Sequence, residues 1–232
     1  MTIALLFAFL APIFWALMNV LDKFALSYKV RNPLSFAAVA GIVDILYGVI
    51  LALFLSWSNI GFQDVLSPIV TGVLLGLQFY VYFNILQKED TSHFIGLIFV
   101  FPFIVALLSF LFLNERISST GYLGMAITVV GVLLLSLRVK HLNLGKSAWM
   151  IVIMTLLSAG YEFFAKVATT SIPALNGIAI SSIVLGFTIL PILLHKKTRA
   201  VFPYELKNAI WALLSESLTF LAVLSKIGRA HV

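Results

Sequence analysis

Three carboxylates, Asp44, Glu162 and Glu216, interrupt stretches of sequence that are otherwise apolar. A charge at the depth of a lipid bilayer costs about 2.5 to 3.5 kcal/mol on insertion scales, so each acid needs a partner, a wet cavity or a proton. Asp44 has about ten apolar or small residues on either side, which sets it near a midplane. It reads either as a proton or cation site or as a structural acid bonded to a neighbouring helix. Glu162 precedes Lys166 by four residues, the favourable order for an ion pair along a helix; the alternative is a charge facing a cavity. Asp44 and Glu162 are the candidates for proton coupling.

Two polar stripes accompany these acids. Trp15, Asn19 and Asp22 follow i, i+4, i+7 spacing and share one helical face. Gln78 and Tyr82 form a similar pair. Inside a bundle such stripes look inward, so Trp15, Asn19, Gln78, Tyr82, Tyr161 and Glu216 are the candidate substrate contacts. The plainer alternatives are packing for Trp15 and, for Gln78 with Tyr82, an interhelical hydrogen bond worth under about 2 kcal/mol. The chain has no cysteine, which excludes disulfides, thiolate zinc sites and cysteine nucleophiles. His93, His141 and His195 lack a ligand-type partner one turn away, and no Ser/His/Asp grouping or nucleotide-binding glycine loop appears. Neither an enzyme nor a metal or other cofactor is expected.

The elements that must position these residues follow from composition. Of 232 residues 62% are hydrophobic and 10% charged, where a soluble domain carries roughly 25% charged. So apolar a chain predicts an all-α integral membrane bundle whose outer surface faces lipid. Eight spans of a length that crosses a bilayer can be drawn, at roughly 3–22, 34–55, 66–87, 93–113, 120–138, 148–168, 174–194 and 208–225. Lys29, Arg31, Asn32 and Pro33, then Ser58, Asn59, Gly61 and Pro68, then Lys88, Glu89 and Asp90 mark the breaks. Runs such as FIGLIFVFPFIVALLSFLFL do not alternate, which excludes a transmembrane barrel. Small residues, Gly72 with Gly76, Gly124 with Gly131, and Ala159 with Gly160, predict close helix packing. Pro102 and Pro191 predict kinks. The net charge of +6 comes from basic residues scattered between apolar runs, which reads as membrane anchoring and argues against a nucleic-acid partner.

A shift of about 140 residues brings like against like. KFALS at 23–27 falls on KVATT at 166–170, VLLGLQF at 73–79 falls on ALLSESL at 212–218, and Asn19 falls opposite Glu162. The implied unit is five helices, and an odd number inverts the second copy. Residues 1–140 form the first repeat and 145–226 three helices of a second, with two helices expected beyond them; residues 227–232, IGRAHV, read as a non-native tail.

FPFIVALLSFLFLNERIS followed by GYLGMAITVVGVLLL resembles the signature of the EamA family in the drug/metabolite transporter superfamily, with Pro102, Glu115, Gly124 and Gly131 in the pattern's positions. WALMNVLDKFAL and the Lys166 region resemble the family's paired repeat starts. The resemblance implies a carrier, commonly an exporter, with a central cavity between two repeats that opens to each side of the membrane in turn. Pro102, Gly124 and Gly131 read as structural, and so does Glu115, which at the end of the fourth span beside Arg116 is a capping or loop-packing residue rather than a ligand. The expected partners are the bilayer, a small organic solute, protons and a second copy of the chain. The alternative is a non-transporting fragment or subunit that needs a partner chain to complete its bundle. Eleven Lys and Arg residues fall in the loops after the first, third, fifth and seventh spans, against Arg116, Lys166 and two near the end of the chain. That bias places the N-terminus outside, whereas the resemblance, whose full-length members usually have both termini inside, implies the opposite; the membrane is expected to be the cytoplasmic membrane of a bacterium or archaeon.

Overall fold

The computed structural model describes residues 2–88, 98, 100–137 and 144–230. Among them lie nine α-helices and no strand: α1 (Thr2–Tyr28), α2 (Pro33–Leu53), α3 (Phe62–Lys88), α4 (Phe101–Leu113), α5 (Ser119–Leu137), α6 (Leu144–Ser171), α7 (Ala174–Ile189), α8 (Lys196–Lys207) and α9 (Ala209–Ala230). A short 3-10 turn, Leu190–Leu194, links α7 to α8. Six helices are long and apolar enough to cross a membrane, namely α1, α2, α3, α6, α9 and α7 with the turn that follows it. Their outward side chains include Phe9, Leu17, Val20, Leu46, Leu53 and Phe187, all more than half exposed or close to it, as a lipid-facing wall requires. The chain is an integral multi-pass membrane protein.

Local sequence explains the helix ends. Asn32 caps α2, its side-chain oxygen accepting from the Leu34 and Ser35 amides at 3.0 Å, and Pro33 occupies the first turn, where a missing N–H costs nothing. Asn59 turns the α2–α3 loop with a φ of 66°, and Asp64 accepts from the Gly61 amide at 2.8 Å to start α3. Pro102 stands in the first turn of α4 rather than in a kinked interior, and Pro191 falls in the 3-10 turn. Asn114 ends α4 in the left-handed region at φ 55°.

α2 is the central helix, with Phe36, Ala37, Ala38, Val39 and Ala40 shut off from the surface. Phe36 meets Phe83 of α3 edge-on at 5.5 Å within a core that also takes in Val43, Ile85, Leu86 and Met154. α2 crosses α7 where Gly41 meets Gly186: a methyl group on Gly41 would stand 3.3 Å from the Gly186 Cα and run into Ile189. Gly72 and Gly76 of α3 lie as close to α7, where added methyls would fall 2.6 Å from Ser181 and Thr188. Backbones approach because no side chain intervenes. The other packed helix pairs are α1 with α9 and α3 with α6.

Two sequence expectations need correction. Gly124 and Gly131 were expected to pack helices, but among the described residues nothing approaches either within 4 Å, and Tyr122, Leu123, Ile127, Val130 and Leu134 are exposed while Gly121, Met125 and Val129 are half-buried. The fifth span, expected at 120–138, is matched by α5 (Ser119–Leu137), and the fourth, expected at 93–113, is described in part as α4 (Phe101–Leu113); residues 89–97, 99 and 138–143, with Glu89, Asp90, His93, Arg138, Lys140 and His141, lie outside the described residues. The basic stretch after the seventh span is a helix, α8, and not a plain loop. Replacing Gly186 with leucine should lower the thermal unfolding midpoint in mild detergent, since overpacking a tight contact costs about 1 to 3 kcal/mol. Gly131→Leu should leave the midpoint unchanged.

Candidate functional site

Polar side chains from four helices converge between α1, α2, α3 and α9. Asp22 of α1 is buried and accepts two hydroxyls, Ser215 of α9 at 2.5 Å and Tyr82 of α3 at 2.9 Å. The Tyr82 hydroxyl also stands 2.9 Å from the Asn19 side-chain oxygen, and the Asn19 amide donates to the Trp15 carbonyl at 2.7 Å. Asp44 of α2 and Glu216 of α9 are 8% and 3% exposed, and Glu216 lies within electrostatic reach of both Asp44 and Asp22. One oxygen of Asp44, one of Glu216 and the Gln78 side-chain oxygen are buried with no hydrogen-bond partner. Gln78 sits one turn before Tyr82 on the same face of α3. Neighbouring aromatics hold the cluster in place: Tyr82 packs edge-on against Phe83 at 5.0 Å, and Tyr47, whose hydroxyl is 2.6 Å from Ser217, stacks on Phe220 at 5.6 Å.

Trp15 and Glu162 belong to a second assembly. Glu162 of α6 pairs with Lys226 of α9, and the Lys226 ammonium lies 5.8 Å from the centre of the Trp15 ring. Tyr161 hydrogen-bonds Glu162. The expected Glu162–Lys166 pair along one helix is absent. Lys166 turns instead to Glu115 at the end of α4, in a pair that is nearly half exposed and is worth under about 1 kcal/mol. Glu162 therefore stands apart from Asp44, and the two candidates for proton coupling do not share a site.

The two assemblies lie at different depths. The Lys23 ammonium donates to the Leu86 carbonyl at 2.7 Å, which brings the end of α1 to the end of α3. At the same level Glu205 of α8 accepts from the Arg31 and Asn32 amides at 2.8 and 3.0 Å, Ser35 donates to the Thr198 carbonyl at 2.6 Å, and the Arg31 guanidinium lies 3.8 Å over the Tyr204 ring. These contacts clamp α8 onto the α1–α2 loop. Asp22 is 6 residues before Tyr28 and Ser215 is 6 past Ala209, about 9 Å from that clamp at 1.5 Å per residue. Trp15 is 13 residues before Tyr28 and Lys226 is 17 past Ala209, about 20 to 25 Å away.

Burial pushes the Glu205 carboxyl above its ordinary value of 4.5, against the pull of the Arg31 and Asn32 amides and the Arg31 charge. The folded chain thus favours the neutral acid. Its contribution to stability is complete below the ordinary glutamate range and is lost as pH rises through the elevated folded value. Glu205→Gln keeps an acceptor for both amides without a charge, so its unfolding midpoint should gain on that of the parent as pH rises from 4.5 to 8. Glu205→Ala leaves two amides bare and should fall below both by about 1 to 3 kcal/mol.

Sequence reasoning grouped Trp15, Asn19, Gln78, Tyr82, Tyr161 and Glu216 as substrate contacts and Asp44 with Glu162 as coupling acids; the structure instead sets Asn19, Tyr82 and Glu216 with Asp44, and Trp15 and Tyr161 with Glu162. The same reasoning noted Asp22 in a stripe but not as a site residue, and it missed Ser215, Lys226 and Glu205. The Asp22–Ser215 contact joins residues 193 positions apart, and neither spacing nor hydropathy could signal it. Among the described residues no group of three His, Cys, Asp or Glu side chains is placed to hold a metal ion. A shallow apolar groove between α3 and α7, lined by Gly76, Leu77, Tyr80, Thr188, Ile189 and Ile192, contains none of the cluster's residues.

No curated protein and no solved structure matches the chain. The model of the EamA-like transporter family matches residues 2–137, which carry α1 to α5 and the Asp22, Asp44, Gln78 and Tyr82 side of the cluster. That match spans more than half of the 232 residues, and the chain belongs to the EamA-like transporter family.

Proposed function

We propose that this family member carries a small organic solute out of the cell, in exchange for protons, by rocking two related sets of helices about the acidic cluster. The observation that carries the reading is the cluster itself: buried carboxyls in apolar helices are expensive, and they are supplied here from α1, α2 and α9 together. The packing supports a division into residues 1–140 and 145–226. Exchanging α1 for α6, α2 for α7 and α3 for α9 turns the α1–α9 contact into the α6–α3 contact and the α2–α7 contact into itself. The charge bias of the loops supports an external N-terminus. A second reading, a subunit completed by another chain, draws support from the exposure of α5.

The test is flux from vesicles containing the purified chain, across a panel of amino acids, amines, organic acids and neutral solutes, with and without an imposed pH gradient. Solute flux above that of empty vesicles is expected, faster with the gradient, and Asp44→Asn and Glu216→Gln should each remove the acceleration. Acceleration that survives in both variants would overturn proton exchange through these residues. No flux from the chain alone, with flux restored by a co-expressed partner, would favour the second reading.

A further inference from the structure

The geometry points to a ligand of definite charge: the Asp22, Asp44 and Glu216 cluster is a site for a protonated amine, a small organic ammonium. This deepens the transport reading and rests on it for the location of the site. The buried polar atoms left without partners in the membrane-spanning helices, among the described residues, are Asp44 Oδ2, Gln78 Oε1 and Glu216 Oε2. With the two carboxyls ionised all three are acceptors, and they come from three different helices. What the site lacks is therefore N–H donors. Among the described residues no cation is placed on it: Lys23 donates to the Leu86 carbonyl, Lys226 pairs with Glu162 and Lys166 with Glu115.

A primary ammonium brings one positive charge and three donors on one nitrogen, which answers both deficits at once. A carboxylate solute would add a negative charge to Asp22, Asp44 and Glu216, and a neutral solute would leave them uncompensated in a low-dielectric setting. The Gln78 oxygen separates this site from a bare group of acids. It is a neutral acceptor on the same face as Tyr82, and it offers a hydrogen bond that a simple Coulombic trap would not need.

Calorimetric titration of the purified full chain in detergent, at fixed pH and ionic strength, tests this. The probes are methylammonium, n-butylammonium and phenethylammonium chlorides, with 2-phenylethanol as the neutral isostere of the last and sodium chloride as the bare-cation control. At least one ammonium should bind, and its affinity should exceed that of the matching alcohol and of sodium by about tenfold or more, ~1.4 kcal/mol. Glu216→Gln and Asp44→Asn should each weaken ammonium binding by about tenfold while Glu115→Gln leaves it unchanged, with helicity by circular dichroism as the folding check. The ammonium-against-alcohol comparison needs only the parent chain, so a misfolded variant does not remove the test. Equal binding of alcohol and ammonium, binding of sodium alone, or no binding by any of the three ammoniums overturns the proposal. Amine binding without vesicle flux would count against transport and leave this site standing; flux of a neutral or acidic solute by a chain that binds no amine would do the reverse.

Discussion

Joining Asn19→Cys to Tyr82→Cys with a short, cleavable bifunctional thiol reagent should abolish solute flux in vesicles, and so should joining Glu162→Cys to Lys226→Cys. The α1–α9 and α3–α6 pairs are each packed along their length, but they are tied to each other by polar contacts at two depths. Near the clamp the tie is Tyr82 of α3 with Asn19 and Asp22 of α1. Some 10 to 15 Å further along it is Glu162 of α6 with Lys226 of α9 and Trp15 of α1. A carrier that opens to each side in turn must release one tie while keeping the other, so fixing either one arrests the cycle. The parent chain has no cysteine, and reagent chemistry is therefore confined to the introduced pair. Flux is compared before linking, after linking and after cleavage of the linker. Flux that persists through either link would mean that the helix pairs do not separate there.

Exchanging the charges of the second tie gives the other large effect. Glu162→Lys sets two ammoniums together and Lys226→Glu sets two carboxylates together, beside the Trp15 ring. Each single change should lower flux, or the yield of folded protein, by about tenfold, ~1.4 kcal/mol. The double exchange restores an ion pair and should recover most of the loss, so the cycle of four proteins reads the coupling directly. Recovery is expected to be incomplete, because a glutamate at position 226 no longer places a cation over Trp15. A double variant no better than the worse single one would show that the two residues do not act on each other.

The fold was readable from the sequence wherever a long apolar run settled the matter. α2 and α7 are bounded by Asn32 with Pro33 and by Pro173, and each is long and apolar enough to span a bilayer without help from a partner. α8 was not readable in that way. Its sequence, KKTRAVFPYELK, looks like a polar connection, and its place depends on Glu205 reaching amides 173 and 174 positions away. Spacing misled in two places. Glu162 and Lys166 stand at the distance of a helical pair, yet each found a partner elsewhere, Lys226 on α9 and Glu115 in the α4–α5 connection, 64 and 51 positions away. Gly124 and Gly131 have the look of a packing seam, but a seam requires a second helix. A helix's own periodicity states which residues share a face; which other face it meets is set by the whole bundle.

The meeting of Gly41 and Gly186 has a mechanical meaning. Ile189 fills the room that Gly41 leaves and Ile45 the room that Gly186 leaves, so α2 and α7 are keyed together and resist sliding past one another. Placed at the middle of the molecule, with α1, α3, α6 and α9 arranged around it, this contact would serve as a fulcrum, and the outer helix pairs would swing as levers about it.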